Sequence, residues 1–398
     1  MRLISQKAAY LSSPLLILFA FALPLTTSTG SMAAMLVLLA WILSGNFKHK
    51  FIEIRQNPVA IAVLCYIAIH IVGLLWSEDV AWGAHILKKQ WKLLLLPIFL
   101  TIVRREHVQY YMAAFVAAIF LKATKAYLVW LGIISLPPGS TFTTIGTSHV
   151  IYNPMLALAI YIVLQNILFS KNSMRALCFK GILLVYLSCN MFVTVGRTGQ
   201  AAFFVLLIVA LFQFFFNTSK KKLLVGLALL PILMVSIFQF SPTFRDRIHT
   251  AIAEVQSSES QSVTSMGCRV WFYQNSFRVI QANKLLGTGT GDFPIEYAKV
   301  NAIHSPNMPL ADNPHNQYLM ITGQFGIIGL LILLGIFICQ LTAGQKQNDE
   351  LTQLRLAFPI FFLLIMLAES YLQVHGTGLL FSLFGAFLYK DFIKYPTT

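Results

Sequence analysis

The sequence predicts an all-α integral membrane protein with about twelve transmembrane helices and one large hydrophilic loop that is itself helical. Two observations predict this class. Of the 398 residues, 57% are hydrophobic and only 11% are charged, and the mean hydropathy is +0.72. Apolar runs of about 17 to 25 residues, long enough as helices to cross roughly 30 Å of hydrocarbon, recur from Tyr10 almost to the C-terminus. A water-soluble fold is excluded because it would have too little polar surface.

The apolar runs are predicted to be helices, because in lipid every backbone polar group must be satisfied within its own segment. The fourth run is short for a span. The first run passes into the second without a small-residue cleavage pattern, so we expect a retained helix and not a signal peptide. The predicted spans are 10–29, 31–45, 59–76, 91–103, 108–134, 149–169, 179–196, 200–216, 222–240, 317–340, 355–371 and 375–390.

These spans divide the chain into residues 1–240 with nine helices, the hydrophilic loop 241–316, and residues 317–398 with three helices. If both termini are cytoplasmic, 17 of the 29 Lys and Arg residues fall in cytoplasmic segments, as the positive-inside rule requires. The loop is then periplasmic. The other cations are Lys88, Lys89, Lys92, Lys122, Lys125, Arg197, Arg245, Arg247, Arg269, Arg278, Lys284 and Lys299.

Cations on the periplasmic side or within a span usually face a cavity and a partner. An anionic ligand such as a pyrophosphate is one possible partner. Nearby carboxylates are the alternative, and they are Glu78, Asp79, Asp246, Asp292 and Glu369.

The hydrophilic loop is predicted to contain two amphipathic helices. The first is SPTFRDRIHTAIAEVQ. The second is CRVWFYQNSFRVIQANK, and its apolar face is expected to hold Val270, Phe272 or Tyr273, Phe277 and Ile280. A glycine-rich stretch, GTGTGDF at 287–293, follows. We expect a turn there and not a dinucleotide-binding loop, because no strand is predicted before it and no helix after it.

The most specific local pattern is HNQYLMITGQFGIIG at 315–329, where the hydrophilic loop enters a span. Nine residues separate a His-Asn pair from Gly326, and two more separate Gly326 from Gly329. Arg197 in VGRTGQ lies at the outer end of the seventh span, and Arg269 lies on the second loop helix. With these residues, the late hydrophilic loop and the length near 400, the chain resembles the O-antigen ligase family, within the O-antigen ligase and polymerase superfamily.

This resemblance implies a glycosyltransferase of a Gram-negative inner membrane, with its active site facing the periplasm. The implied donor is a glycan on undecaprenyl pyrophosphate, and the implied acceptor is lipid A-core, so that transfer completes lipopolysaccharide. Membrane lipids are the other expected partners, and no nucleic-acid partner is expected.

The predicted catalytic residues are His315, Arg197 and Arg269. Guanidinium groups in a poorly hydrated site are suited to hold the charge that builds on a departing pyrophosphate. A histidine that titrates near neutrality can take the proton of an acceptor hydroxyl. His315 is also open to a positioning role, or to a structural role in orienting the span below it. Further substrate-binding candidates are Lys88, Lys92, Lys125, Asn316 and Arg278.

Two other functions remain open from the sequence. A polymerase of the same superfamily would join the glycan to a second lipid-linked repeat by the same chemistry. A transporter of lipid-linked sugars would also use many spans and buried lysines, but its site is expected nearer the bilayer midplane.

We expect no cofactor and no metal, because the histidines have no carboxylate or cysteine partners at ligand spacing and the resemblance implies metal-independent chemistry. The five cysteines show neither a disulfide framework nor a metal-ligand pattern.

Overall fold

The computed structural model describes residues 2–136, 147–256, 265–392 and 394. Every long element in these ranges is an α-helix, which confirms the predicted all-α membrane class. The helices before the hydrophilic loop are α1 (Arg2–Ala22), α2 (Thr27–Leu43), α3 (Phe47–Gln56), α4 (Pro58–Val72), α5 (Val80–Lys89), α6 (Trp91–Leu100), α7 (Val108–Trp130), α8 (His149–Phe169), α9 (Met174–Val193), α10 (Arg197–Phe215) and α11 (Lys220–Phe240).

The loop carries α12 (Pro242–Gln256), α13 (Ser265–Ala282) and α14 (Phe293–His304), and the chain then continues as α15 (Gln317–Gln345), α16 (Thr352–Ile365) and α17 (His375–Tyr389). The Ser- and Gln-rich link between α12 and α13 lies outside the described residues. The expectation that no helix follows GTGTGDF is wrong, because α14 begins at Phe293, the last residue of this stretch.

Seven helices of the described chain are long and apolar enough to cross a membrane, or eight if α2 and α3, which are bent by 117°, form one span. A helix lies at each of the twelve predicted spans, but several are short. With ten residues, α6 measures about 15 Å, half the hydrocarbon thickness. The predicted starts of the first two spans are wrong, because they were placed by apolarity and polar residues belong to both helices. α1 starts at Arg2, and α2 starts at a capping box formed by Thr26 and Thr29.

The predicted eleventh span, 355–371, ends earlier than expected. Its helix α16 stops at Ile365, and residues 366–374 form a loop before α17. We call this segment the 366–374 loop. It carries Glu369, so this carboxylate lies between two helices and not inside one.

The long helix α15 is broken at Gly326, where φ is 60° and ψ is −155°. The carbonyls of Gly323 and Gln324, released by the break, accept hydrogen bonds from the backbone N–H groups of Thr288 and Gly289 at 2.9 and 2.8 Å. The glycine-rich stretch 287–291 is therefore a structural turn that repairs the break, as backbone groups buried in a membrane protein require.

Close packing explains why this contact needs glycine. A Cβ on Gly326 would lie 2.2 Å from the Leu285 carbonyl oxygen, and one on Gly287 would lie 2.3 Å from the Gln324 carbonyl carbon. Both residues have positive φ, which glycine adopts without strain. The glycine of the His-Asn-Gly pattern thus joins the hydrophilic loop to α15 and fixes the position of the residues at its start.

Candidate functional site

His315 lies immediately before α15 in a left-handed backbone conformation, with φ of 52°. Histidine, asparagine and aspartate adopt this conformation more often than other non-glycine residues. The Asn313 side chain accepts a hydrogen bond from the His315 backbone N–H at 3.0 Å. Asn316 caps α15 by accepting from the N–H groups of Tyr318 and Leu319, so the turn around His315 is held on both sides.

The imidazole of His315 contacts a carboxylate. Nδ1 lies 2.6 Å from Oε2 of Glu369, whose side chain is only 12% exposed. The other carboxylate oxygen accepts from Asn313 Nδ2 at 3.0 Å and from the Ser370 backbone N–H at 2.8 Å. Glu369 therefore has a hydrogen-bond partner on each oxygen, as a buried carboxylate requires.

Burial acts to raise the pKa of Glu369, but hydrogen bonds and positive charge overcome it, and the pKa of this carboxyl is lowered. The largest of these opposing effects is the hydrogen bond with His315, and the charge of Arg269 adds to it. Glu369 is therefore ionised near neutral pH. Because a carboxylate can only accept, Nδ1 of His315 carries the proton and Nε2 of the neutral ring keeps its lone pair.

The 366–374 loop is fastened to the start of α15. The backbone N–H of Gln317 donates to the Met366 carbonyl at 2.9 Å, and the Leu372 N–H donates to the Gln317 side chain at 3.1 Å. Asn316 Nδ2 and the Tyr273 hydroxyl both donate to the Leu367 carbonyl, at 3.1 and 2.8 Å. The contact between Glu369 and His315 thus lies where the 366–374 loop, the start of α15 and α13 meet.

A cavity of about 280 Å³ opens beside Glu369. Arg197 reaches it from the first residue of α10, and Arg269 reaches it from the start of α13. Both arginines are half-buried. The structure therefore brings the two predicted arginines to one cavity with the carboxylate that holds His315. The lining residues are His149, Val150, Val195, Gly196, Arg197, Thr198, Gly199, Arg269, Ala368, Glu369 and Tyr371.

The wall formed by α10 depends on close packing against α8. A Cβ on Gly196 or on Gly199 would lie 2.4 Å from atoms of the Asn153 side chain, which is fully buried. Gly196 is also the N-cap of α10 and has no side chain to bond the first backbone N–H groups. The positive end of the α10 dipole therefore adds to the arginine charges beside the cavity.

The remaining predicted binding residues do not line this cavity. Lys92 is buried and donates to the Gln373 carbonyl, and Lys88 and Lys125 are exposed on α5 and α7. Arg278 donates to Asn275 Oδ1 at 3.1 Å, and Asn316 serves as the helix cap described above. Their assignment to substrate binding stays a prediction.

The second loop helix, α13, buries only part of the face that was expected to be apolar. Phe272 is buried as expected, but Val270 and Phe277 are 39% and 55% exposed, and Val279 is buried instead. The buried face also holds Asn275, which donates a hydrogen bond to Ser305 Oγ at 2.7 Å. This polar residue is therefore buried together with a hydrogen-bond partner.

From the sequence, Glu369 is predicted only as one of several possible partners of the cations on the periplasmic side or within a span. No sequence pattern singles out Asn313, His149 or Tyr371. Glu369 was placed at the end of a span, where a lone carboxylate gives no information about its partner. An ionisable residue in an apolar run does, however, indicate a functional role in itself, so the sequence contains a signal for Glu369 although not for its partner. Among the described residues, no group of three or more His, Cys, Asp or Glu side chains is arranged to hold a metal ion.

Comparison with protein families decides the family of the segment that contains most of these residues. Residues 182–334 match Wzy_C, described as O-antigen ligase. This segment belongs to the O-antigen ligase family. The match includes Arg197, Arg269 and the His-Asn-Gly pattern, and it confirms the resemblance seen in the sequence. No curated protein matches the chain.

The family implies a membrane enzyme of the O-antigen ligase and polymerase superfamily that transfers glycans. The family also implies lipid-linked glycans as substrates and membrane lipids as partners.

Proposed function

We propose that this enzyme is an O-antigen ligase that transfers O-antigen polysaccharide from undecaprenyl pyrophosphate to lipid A-core. One observation supports it most strongly: Arg197, Arg269 and Glu369 line a single cavity, and Glu369 holds His315 by a 2.6 Å contact. Such a site combines a place for a pyrophosphate with a base. His149 and Arg197, the first residues of α8 and α10, line the cavity, which supports a site at the level of the lipid headgroups and not at mid-membrane.

In the proposed reaction the acceptor hydroxyl oxygen forms a bond to the anomeric carbon of the donor sugar, and the bond from that carbon to the phosphate oxygen breaks. The hydroxyl proton passes to Nε2 of His315, whose protonated ring is then stabilised by the Glu369 carboxylate. The undecaprenyl pyrophosphate leaves with the electron pair of the broken bond. Guanidinium groups that are already in place can stabilise the charge on it without reorganisation.

The placement of the two arginines supports this division of roles. Arg197 comes from the N-terminus of α10, where backbone N–H groups favour an anion, and Arg269 comes from the hydrophilic loop. Planar guanidinium groups from two directions can each contact phosphate oxygens through two N–H donors. Arg269 is close enough to Glu369 to influence its ionisation, so the anion site and the base are neighbours.

We further propose that the site faces the periplasm of a Gram-negative bacterium from the inner membrane, with both termini in the cytoplasm. The distribution of Lys and Arg over the loops supports this orientation. The chemistry needs no metal and no cofactor in this proposal, because the arginines supply the charge that a divalent ion supplies elsewhere.

A polymerase is the second candidate, because the same geometry would serve a second lipid-linked repeat as acceptor. The test is to mix purified protein with lipid-linked glycan and either lipid A-core or a second lipid-linked repeat. A ligase extends lipid A-core alone, whereas a polymerase lengthens the lipid-linked glycan. If no product forms with either acceptor, the ligase and the polymerase functions are both contradicted. Movement of the glycan across vesicle membranes would then indicate a transporter.

A further inference from the structure

A larger cavity, of about 640 Å³, opens between α7, α8 and α9. It lies at the opposite end of the bundle from His315. The first turn of α8 lines the arginine cavity through His149, whereas Asn166 and Ser170, at and just beyond the C-terminal end of α8, line this second cavity. The 21 residues of α8 separate the two ends by about 31 Å, the thickness of the hydrocarbon core.

The walls of this cavity are apolar and the inner end is closed. Met112, Val116, Ile162 and Leu183 are among its lining residues, and Phe120 and Tyr186 stand at the innermost point, with ring centroids 5.2 Å apart. Beyond them, hydrogen bonds close the seam between α7 and α9, from the Tyr186 hydroxyl to Thr124 at 2.9 Å and from the Tyr127 hydroxyl to the Tyr186 carbonyl at 2.8 Å.

The depth of the groove matches one leaflet of a bilayer. Gln109 lies at its mouth and Phe120 at its inner end, and this stretch of α7 measures about 16 Å, half of the roughly 30 Å of hydrocarbon. An acyl chain anchored at that membrane surface would reach the closed end at the midplane. The groove therefore fits a lipid of that leaflet and not one that crosses to the His315 end.

The mouth of the groove carries two opposite charges. Lys180 donates to the side-chain oxygens of Asn166 and Asn172. Glu350 accepts from Gln109 Nε2 at 3.1 Å, and its backbone carbonyl accepts from Gln165 at 2.9 Å. Within the described residues, Lys180 and Glu350 do not form an ion pair with each other. Both are held by neutral amides, so each can still contribute its charge to a headgroup.

We propose that this groove is a binding site for a zwitterionic glycerophospholipid with a primary amine headgroup. One acyl chain lies along the walls up to Phe120, the phosphate contacts Lys180, and the ammonium contacts Glu350. A purely anionic headgroup would leave Glu350 facing like charge. A quaternary amine has no N–H to donate to Glu350. This site is separate from the proposed catalytic site, and bound lipid would join α7 to α9 along the part of their interface that the hydrogen bonds do not close.

The experiment measures lipid retention and thermal stability. Delipidated protein is supplied with phosphatidylethanolamine, phosphatidylcholine or phosphatidylglycerol, bound lipid is counted by native mass spectrometry, and the melting temperature is recorded. We expect phosphatidylethanolamine to be retained best and to raise the melting temperature most. Glu350→Gln and Lys180→Gln should each weaken its retention about tenfold, the effect of losing one charged hydrogen bond.

Ala117→Trp tests the groove itself, because Ala117 lines it and a large ring there would obstruct it. This variant should lose lipid retention, whereas Lys171→Gln, a control at an exposed lysine outside the lining, should keep it. Full retention by Ala117→Trp would overturn the site. Equal effects of the three lipids, or unchanged retention in Glu350→Gln, would overturn the assigned headgroup. Because Glu350 is exposed, we expect the Glu350→Gln variant to fold, so that a change in its retention reports on lipid binding.

Discussion

Among single residues, Glu369 is the one whose replacement separates a catalytic role of His315 from a structural one. In the proposed reaction the carboxylate fixes the proton on Nδ1 and leaves Nε2 to act as the base. Glu369→Gln keeps the size of the side chain and one acceptor oxygen but removes the charge that stabilises a protonated imidazole. We expect kcat to fall at least about tenfold, the usual effect of losing a partner that orients a catalytic group, while donor binding persists.

Loss of Glu369 should also change how stability depends on pH. The pKa of Glu369 is lowered in the folded protein, so its ionised form favours folding. This contribution is complete above the unfolded pKa of about 4.3 and disappears as pH falls through the lower folded value. The difference in melting temperature between the protein and Glu369→Gln should therefore be constant from about pH 5 upward and shrink below about pH 4. A difference that grows in acid would contradict the assignment.

The two arginines and His315 are predicted to differ in what their replacement does. His315→Ala should reduce turnover within the roughly 10²–10⁴ range of a general base and leave donor binding largely intact. Arg197→Lys and Arg269→Lys keep the charge but lose the planar fork, and we expect about 10²-fold loss of rate or more. Arg245→Lys is a matched control, because Arg245 lies on α12 and does not line the arginine cavity. If His315→Ala lost donor binding while Arg197→Lys and Arg269→Lys kept both donor binding and rate, the assigned roles would be contradicted.

The site was predictable from the sequence only in part. His315, Arg197 and Arg269 were predicted from the His-Asn-Gly pattern and the order of the arginines, which carry the resemblance to the O-antigen ligase family, and from the cations' position on the periplasmic side of the predicted topology. The partner of His315 was not found, because Glu369 is 54 positions away and its contact depends on where α16 ends. That end at Ile365 is set by tertiary contacts of the 366–374 loop with Gln317 and Asn316, which no local pattern encodes.

At the scale of elements, the break in α15 is the feature that ties the hydrophilic loop to the membrane helices. The sequence placed a helix at 317–340 correctly, but a glycine in an apolar run does not reveal whether the helix continues through it. Gly326 adopts a conformation available essentially to glycine, whereas Gly335 on the same helix has open space around its Cβ position. The difference arises from what packs against each glycine.

Gly326→Ala and Gly335→Ala are therefore a matched pair. We expect Gly326→Ala to lose about 1–3 kcal/mol of stability from the backbone conformation alone, and more from the 2.2 Å approach to the Leu285 carbonyl. Gly335→Ala should be neutral or stabilising by up to about 1 kcal/mol, because alanine is the better helix former. Melting temperatures of the two purified variants compare them directly. Equal melting temperatures would show that the break is not required.

For the molecule as a whole, the division of charge between the two ends of the bundle underlies the proposed orientation. Beyond its break at Gly326, α15 continues to Gln345 for 19 residues, or about 28 Å, close to the thickness of the hydrocarbon core, so we expect the residues before and after α15 to lie on opposite sides of a bilayer. Asn307 precedes it on the hydrophilic loop, and Lys346 follows it; both are exposed. The two positions therefore report the orientation of one well-defined span and, through it, of the site at His315.

We expect a cysteine at Asn307 to react with a membrane-impermeant thiol reagent when only the outer membrane is permeable, and one at Lys346 to react only after the inner membrane is opened. The background for both is a chain without its five native cysteines, checked for retained glycan transfer. This result follows from a periplasmic loop and cytoplasmic termini, the arrangement that puts most Lys and Arg on the cytoplasmic side. The reverse pattern of labelling would place His315, Arg197 and Arg269 in the cytoplasm. A lipid A-core acceptor at the periplasmic face would then be out of reach of the proposed base, and the ligase reaction would have to be abandoned.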